Sequence, residues 1–312
     1  MAYMALVLLL IFIAIMLLGI PVGFGMGALT VIAFELLGGD LSMIPQKMFA
    51  GIDTYTYVCI LLFILSADIM SVGGITNAIV VFCEKLVGHI KGGLAHVNVL
   101  ASMLFAGLSG SAAADAAGLG PIEIKMMTDG GYDKEFSSCL TAASAIIGPI
   151  IPPSNIMIIY AGCVGTVSVG KMFLAGAIPG ILLGIAYMIF CYWISVKRKY
   201  PCRKTRATWK EIGHATWETL PALLLPIIIM GTITLGICTA TESSAIAVIY
   251  STIVAACKKN LSIKSFCRAC IRSAKAAANV LFIIAISSAM AWAVTTLGVA
   301  QALTNFCVAY IN

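Results

Sequence analysis

Apolar residues run almost without interruption along this chain, and the places where the run stops define its elements. Residues 3–37 are apolar apart from Glu35, too long for one bilayer crossing of about 20 residues. Gly19-Ile20-Pro21-Val22-Gly23 divides them, because proline removes a donor and clashes with the preceding turn, and helices are predicted near 3–18 and 22–37. Residues 39–54, with Asp40, Lys47 and Asp53, read as an external loop. Residues 55–72 span again, with Asp68 near the inner end and Gly73-Gly74 as the stop. Residues 75–90 set Ile79, Val80, Phe82 and Leu86 among Glu84, Lys85 and His89, the pattern of an amphipathic helix at the inner interface.

Two later runs are interrupted differently. Residues 93–108 and 116–127 flank a stretch of small residues and read as the arms of a re-entrant hairpin with its tip at 109–115, closed by a polar turn at 129–135. Residues 136–165 form a span broken at Pro152-Pro153, and 172–195 form an unbroken one. Residues 217–256 are again doubled, split at 236–242, and 276–297 form the last span, ended by Gly298.

Composition sharpens the class. The chain has 312 residues, 61% hydrophobic and 10% charged, where a soluble domain carries about 25% charge. It is an all-α polytopic membrane protein, and the lack of regular polar alternation argues against a β-barrel. The net charge of +6 is no nucleic-acid signature, since the basic residues gather between apolar runs, at Lys197-Arg198-Lys199, Arg203-Lys204 and Arg206, and from Lys258 to Lys275. That marks a basic loop at 197–216 and the segment 257–275 as cytoplasmic, with the N-terminus periplasmic. No Lys or Arg precedes Lys47, so the first run reads as structure rather than as a cleaved signal. Most of the 11 cysteines sit singly inside apolar runs as small hydrophobes. Cys267 and Cys270 form a lone C-x-x-C without a second pair or a nearby His, which reads as two exposed thiols rather than a zinc site.

Shifting the chain by about 217 residues aligns Leu18-Gly19-Ile20 with Leu235-Gly236-Ile237, and a slightly larger shift aligns the span ending at Gly74 with the one ending at Gly298. By the charge pattern the two copies enter from opposite sides, which describes an inverted repeat of the kind transporters use. The expected organisation is scaffold helices of a first repeat at 1–74, an amphipathic interfacial arm at 75–92, a transport core at 93–195, a basic loop at 196–216 and the scaffold of a second repeat at 217–312. The second copy stops short of a second hairpin, so the chain is expected to be a C-terminally truncated form of a longer protein.

The candidate chemistry lies in the two breaks. Lipid cannot satisfy freed N–H and C=O groups, so irregular backbone survives only inside protein or around a polar ligand. Ser109, Gly110 and Ser111 form one break; Pro152, Pro153, Ser154 and Asn155 form the other. Together they offer carbonyl and side-chain oxygens for a small cation, with Na⁺ near Ser109, Ser111, Ser154 and Asn155. The bland reading is small-residue helix packing through Gly107, Ser111 and Ala114. Asp115 either tunes the cation site or caps the returning helix, and capping is favoured. Glu242 either couples protons or braces its break by accepting hydrogen bonds from Thr239 and Thr241, and bracing is favoured. Gly107-Leu108-Ser109-Gly110 fits the G-x-S-G of intramembrane serine proteases, but the histidines, His89, His96 and His214, are poorly placed to serve Ser109 as a base. A channel would need charge rings or a repeated filter, and neither is written here.

Gly107-Leu108-Ser109-Gly110-Ser111, Gly131-Tyr132-Asp133, Ile151-Pro152-Pro153-Ser154 and Phe173-Leu174-Ala175-Gly176-Ala177-Ile178-Pro179-Gly180 resemble the large membrane subunit of tripartite ATP-independent periplasmic (TRAP) transporters. Leu86-Val87-Gly88-His89, Gly92-Gly93-Leu94 and Thr239-Ala240-Thr241-Glu242 fit too, although that family usually has Pro where Ala240 stands. The resemblance covers the whole chain. It implies no enzyme and no cofactor but a secondary transporter of the bacterial inner membrane, working with a small TRAP membrane subunit and a periplasmic substrate-binding protein. It implies import of a small organic anion, such as a C4-dicarboxylate, sialic acid or another sugar acid, coupled to Na⁺ and carried by an elevator motion. A proton-coupled transporter of the same architecture is the alternative. The family's second sodium region, at a later Pro-Pro break, has no counterpart in these residues.

Overall fold

The computed structural model describes residues 2–36, 38–202 and 206–298 together with positions 301, 304 and 308. Leu37, Arg203, Lys204 and nearly all of the stretch after Gly298, which figure in the sequence expectations, lie outside the described residues. The described elements are all helical. By close contact the chain forms two compact units, one of residues 1–54 with 276–312 and one of residues 55–275.

In the first unit, α1 (Ala2–Leu17) and α2 (Val22–Leu36) form where the divided apolar run places them. The expected external loop at 39–54 is instead largely a helix, α3 (Met43–Ile52). Two causes escaped the sequence reading. Asp40 starts the turn by accepting from Ser42 N at 2.9 Å and Ser42 Oγ at 2.6 Å, and Pro45 lies in the first turn, where a missing N–H costs nothing. The Trp292 ring, on the part of α14 (Ile263–Thr296) that belongs to this unit, stacks on Phe34 at 5.0 Å and receives the Lys47 ammonium at 5.3 Å. Leu29, Ala33, Phe34, Ala293 and Leu297 form its core.

The second unit holds α4 (Val58–Val72), preceded by a 3-10 turn at Tyr55–Tyr57, then α5 (Ile75–Val87), α6 (Gly93–Ser109), α7 (Ala112–Gly118), α8 (Gly120–Asp129), α9 (Lys134–Ala145), α10 (Asn155–Val164), α11 (Val169–Arg198), α12 (Trp209–Thr234) and α13 (Ala240–Cys257). The α5 helix is amphipathic, as its pattern dictates, and buries Ile75, Thr76, Ile79, Val80 and Cys83. Its Ala78 carbonyl accepts from Thr219 Oγ1 of α12 at 3.0 Å. Helix α13 lies along α4, joined by Ser251 to Ser66 at 3.4 Å and by Asn260 Nδ2, just past its end, to the Gly73 carbonyl at 3.0 Å. Helix α6 runs through the middle, with Ala95, Val99 and Ala106 in a core completed by Met127, Leu140, Ile147 and Cys191.

Three expected boundaries shift. The basic loop is shorter than 197–216, because α11 continues to Arg198 and α12 begins at Trp209. The helix that carries the last span starts before 276: from Ile263 the basic segment is the leading part of α14, a single helix of 34 residues. At 1.5 Å per residue α14 is about 51 Å long, well over the ~30 Å hydrocarbon core, so its basic turns extend the helix that carries the last span. Among the described residues five helical segments are long and apolar enough to cross a membrane: Tyr55–Val72, α11, α12, α13 and α14. This is a multi-pass membrane protein. Gly19 (φ 76°) and Gly236 (φ 71°), which the repeat offset aligns, both occupy left-handed turns between paired helices, and Gly74 (φ 77°) and Gly298 (φ 66°) both follow a span.

The foot of the hairpin is fastened to the end of α11. Tyr200 stacks on Tyr132 at 4.4 Å and on Phe136 at 5.4 Å. The Tyr200 hydroxyl and Arg198, at 2.8 Å, both donate to Asp133 Oδ2, and these bonds hold the Asp133 carboxyl below the usual value. A depressed carboxyl contributes stability above its ordinary pKa of about 4 and loses it as pH falls through the lowered value. The melting temperature of Tyr200→Phe is therefore expected to lie below wild type at neutral pH, with the gap closing in acid; a gap independent of pH would show that only stacking was lost.

Candidate functional site

The sequence expected two breaks, and both form in the second unit. At the first, α6 ends at Ser109 and Gly110 turns the chain in the left-handed region at φ 60°. The tip is narrower than 109–115, because Ser111 already caps α7, its Oγ accepting from Ala114 N at 3.4 Å. The returning arm is two short helices rather than one, α7 giving way to α8 at Leu119, with Pro121 in the first turn of α8. At the second break the helix stops earlier than the proline pair. Gly148 and Pro149 cannot sustain it, and 146–151 run as tight turns. Pro152 and Pro153 follow, joined by a cis peptide bond, and Ser154 caps α10 by accepting from Met157 N at 3.3 Å. The Ser154 hydroxyl donates to the Pro149 carbonyl.

These breaks meet. Asn155 N donates to the Gly110 carbonyl at 3.3 Å, a backbone bond across 45 residues of sequence. A Cβ on Gly110 would overlap the Pro153 carbonyl oxygen, and one on Gly148 would lie 3.2 Å from the Ser111 carbonyl oxygen. A side chain at Gly110 does not fit this crossing, and one at Gly148 would be tight. Ser109 is 3% exposed, Ser154 0% and Asn155 8%, and Gly110, Pro152 and Pro153 are buried. So Ser109, Gly110, Pro152, Pro153, Ser154 and Asn155 gather in one buried place, with Ser111 partly exposed at its edge. The hydroxyls of Ser111 and Ser154 hold helix starts, a role the sequence reading did not give them. Ser109 Oγ accepts from Ser111 N at 3.5 Å and has no histidine partner among the described residues.

The remaining residues lie elsewhere or act otherwise. Asp115 does not cap the returning helix, since Ser111 does; it is 1% exposed and neither carboxylate oxygen has a hydrogen-bond partner. Glu242 accepts from Thr239 N at 2.7 Å and Thr239 Oγ1 at 2.9 Å, while Thr239 Oγ1 accepts from Glu242 N, a reciprocal cap at the start of α13. Thr241 does not join that brace; its hydroxyl donates to the Tyr55 carbonyl at 3.4 Å. Among the described residues none of Thr239, Thr241 and Glu242 has a side-chain hydrogen bond to either break. Asp68 accepts from Ser273 Oγ at 2.9 Å and pairs with Arg272 at 3.7 Å.

One buried polar chain behind the tip was missed. Asn98 Nδ2 donates to Thr141 Oγ1 at 2.6 Å, Ser144 Oγ donates to Asn98 Oδ1 at 2.9 Å, and Ser102 Oγ reaches Ser144 at 3.1 Å and Glu123 Oε1 at 3.4 Å. Its signal was legible: Asn98 and Ser102 stand one turn apart, as do Thr141 and Ser144, so each pair shares a face of an otherwise apolar helix.

A family model described as tripartite ATP-independent periplasmic transporter, DctM component, matches residues 9–311. The sialic acid TRAP transporter permease protein SiaT of Haemophilus influenzae is 40% identical over 267 residues, 85% of this chain and 43% of that protein. The sialic acid TRAP transporter large permease protein SiaM of Vibrio cholerae is 45% identical over 75% of this chain and 54% of its own length. The C4-dicarboxylate TRAP transporter large permease protein DctM of Pseudomonas aeruginosa is 36% identical over 90% of this chain and 65% of its own. The chain thus spans 43% to 65% of these three relatives.

Proposed function

The chain belongs to the DctM-component family of tripartite ATP-independent periplasmic transporters, and on that premise we propose that it is a permease, not an enzyme, importing a small organic anion together with Na⁺. The observation that carries the reading is the bond from Asn155 N to the Gly110 carbonyl, which draws the two breaks into one buried crossing. There the C-terminal end of α6 presents carbonyl oxygens and the negative end of its dipole, which favour a small cation, while the N-terminal end of α10 favours an anionic group. The hydroxyl of Ser109 and the amide of Asn155 supply further oxygens. The names of the relatives point to sialic acid and C4-dicarboxylates as the substrate class.

In this reading residues 93–195 are the moving core of an elevator, and 1–74 and 217–312 are scaffold from two inverted repeats. The matching positive φ of Gly19 and Gly236 supports the repeat. The membrane is the bacterial inner membrane, with the N-terminus in the periplasm. The working assembly includes a small membrane subunit and a periplasmic substrate-binding protein.

The test is uptake into proteoliposomes by the complete transporter with both partners. Replacing Na⁺ by choline is expected to lower the initial rate at least about tenfold, the loss of a coupling ion's free energy. Uptake that is unchanged in choline and instead follows a proton gradient overturns sodium coupling in favour of the proton-coupled alternative.

A further inference from the structure

We propose that Glu123 holds a proton at neutral pH and donates it to Ser102, so that the returning arm of the hairpin contains a proton-binding site separate from the crossing of the two breaks. The inference does not rest on sodium coupling.

Glu123 is 0% exposed and Asp115 1%, and Asp115 Oδ1, Asp115 Oδ2 and Glu123 Oε2 lack hydrogen-bond partners. Neither residue takes part in an ion pair among the described residues; those pairs join Lys85 to Glu211, Asp133 to Arg198, His214 to Glu218 and Asp68 to Arg272. The two carboxyls lie close enough for their charges to act on each other. Two like charges buried together, with no basic side chain paired to either among the described residues, are costly, and taking up a proton is the ordinary escape.

Counting protons along the polar chain places it. Asn98 spends one amide hydrogen on Thr141, and Ser144 spends its hydroxyl hydrogen on Asn98 Oδ1 at 2.9 Å. Ser102 then gives its single hydrogen to Ser144 at 3.1 Å, a shorter contact than the one to Glu123 at 3.4 Å. The remaining contact, Ser102 Oγ to Glu123 Oε1 at 3.4 Å, has no hydrogen left unless Glu123 brings one. A protonated Glu123 closes the chain. Among the described residues the surroundings offer no substitute. Helix α5 contributes the Cys83 thiol, close enough to feel the Glu123 charge. Helix α6 contributes Ser102 and, near its far end, His96, and α9 contributes Thr141 and Ser144, its Lys134, Glu135 and Cys139 being exposed.

Infrared spectroscopy of the complete membrane subunit in lipid nanodiscs tests this directly. At neutral pH the wild type is expected to show the carbonyl stretch of a protonated, buried carboxyl, which Glu123→Gln abolishes and Asp68→Asn leaves in place. Glutamine keeps a donor for Ser102, so the variant is expected to fold, with a melting temperature that no longer falls between neutral and alkaline pH as the wild type's does. Absence of the band at neutral pH, a band untouched by Glu123→Gln, or a band lost in Asp115→Asn but kept in Glu123→Gln overturns the assignment. Should Glu123→Gln fail to fold, the wild type decides alone: no band, or no alkaline fall in its melting temperature, overturns it.

Discussion

Replacing Gly110 with alanine is expected to cut substrate uptake by the assembled transporter about 100-fold, the scale of loss that follows when reacting or binding groups are misplaced by about 1 Å. Two costs fall on the same atom. Gly110 sits at φ 60°, where a side chain costs about 1–2 kcal/mol. The added methyl would also strike the Pro153 carbonyl oxygen, a backbone atom that cannot swing aside as a side chain end can. The two breaks must part, and the bond from Asn155 N to the Gly110 carbonyl goes with them. Uptake is measured alongside surface expression and the melting temperature of the purified subunit. Alanine at Gly213, where a Cβ meets nothing within 4 Å, serves as the control and is expected to transport normally. Near-normal uptake by Gly110→Ala would mean that the crossing is not needed for transport.

The second large effect is expected in the polar chain behind the tip. Asn98→Leu keeps the shape of the side chain but removes a donor to Thr141 and an acceptor from Ser144. Stranding buried partners costs about 1–3 kcal/mol, and the lower half of that range is typical within membranes. The expected result is a clear fall in the melting temperature of the variant, with the Thr141→Val, Asn98→Leu double variant less destabilised than the sum of the two singles, because they share one bond. Additive losses would show that the two side chains act separately.

Much of the architecture was legible because bilayer physics writes it plainly. A run of apolar residues as long as 172–195 has few alternatives to a span, and Gly19-Ile20-Pro21 or Gly236 can only divide one. Where sequence reasoning failed, local chemistry competed with hydropathy. Residues 39–54 carry charges and read as loop, yet Asp40 and Pro45 together start a helix. The segment 257–275 reads as a cytoplasmic stretch, yet only 258–262 turns between helices, and from Ile263 the chain runs on helically as α14. At the candidate site, the breaks and their residues were readable from glycine, proline and hydroxyls in apolar surroundings. Their partners were not, since no pattern in one sequence says that Asn155 will find the carbonyl of Gly110. Hydroxyls also carry two meanings in such places: Ser111 and Ser154 read as ion ligands and serve as helix caps. Asp115 read as a cap because it stands early in the returning arm, but the cap falls on Ser111, four residues earlier, and the carboxylate turns inward.

Binding of radioactive Na⁺ to the complete membrane complex, purified and free of substrate, bears most directly on the central claim that the crossing of the two breaks holds the coupling ion. Saturable binding displaced by unlabelled Na⁺ but not by choline is expected, with affinity lowered about tenfold or more in Ser109→Ala and unchanged in Thr241→Ala. Binding equally strong in Ser109→Ala and in the wild type, or none at all in a correctly folded complex, would contradict it.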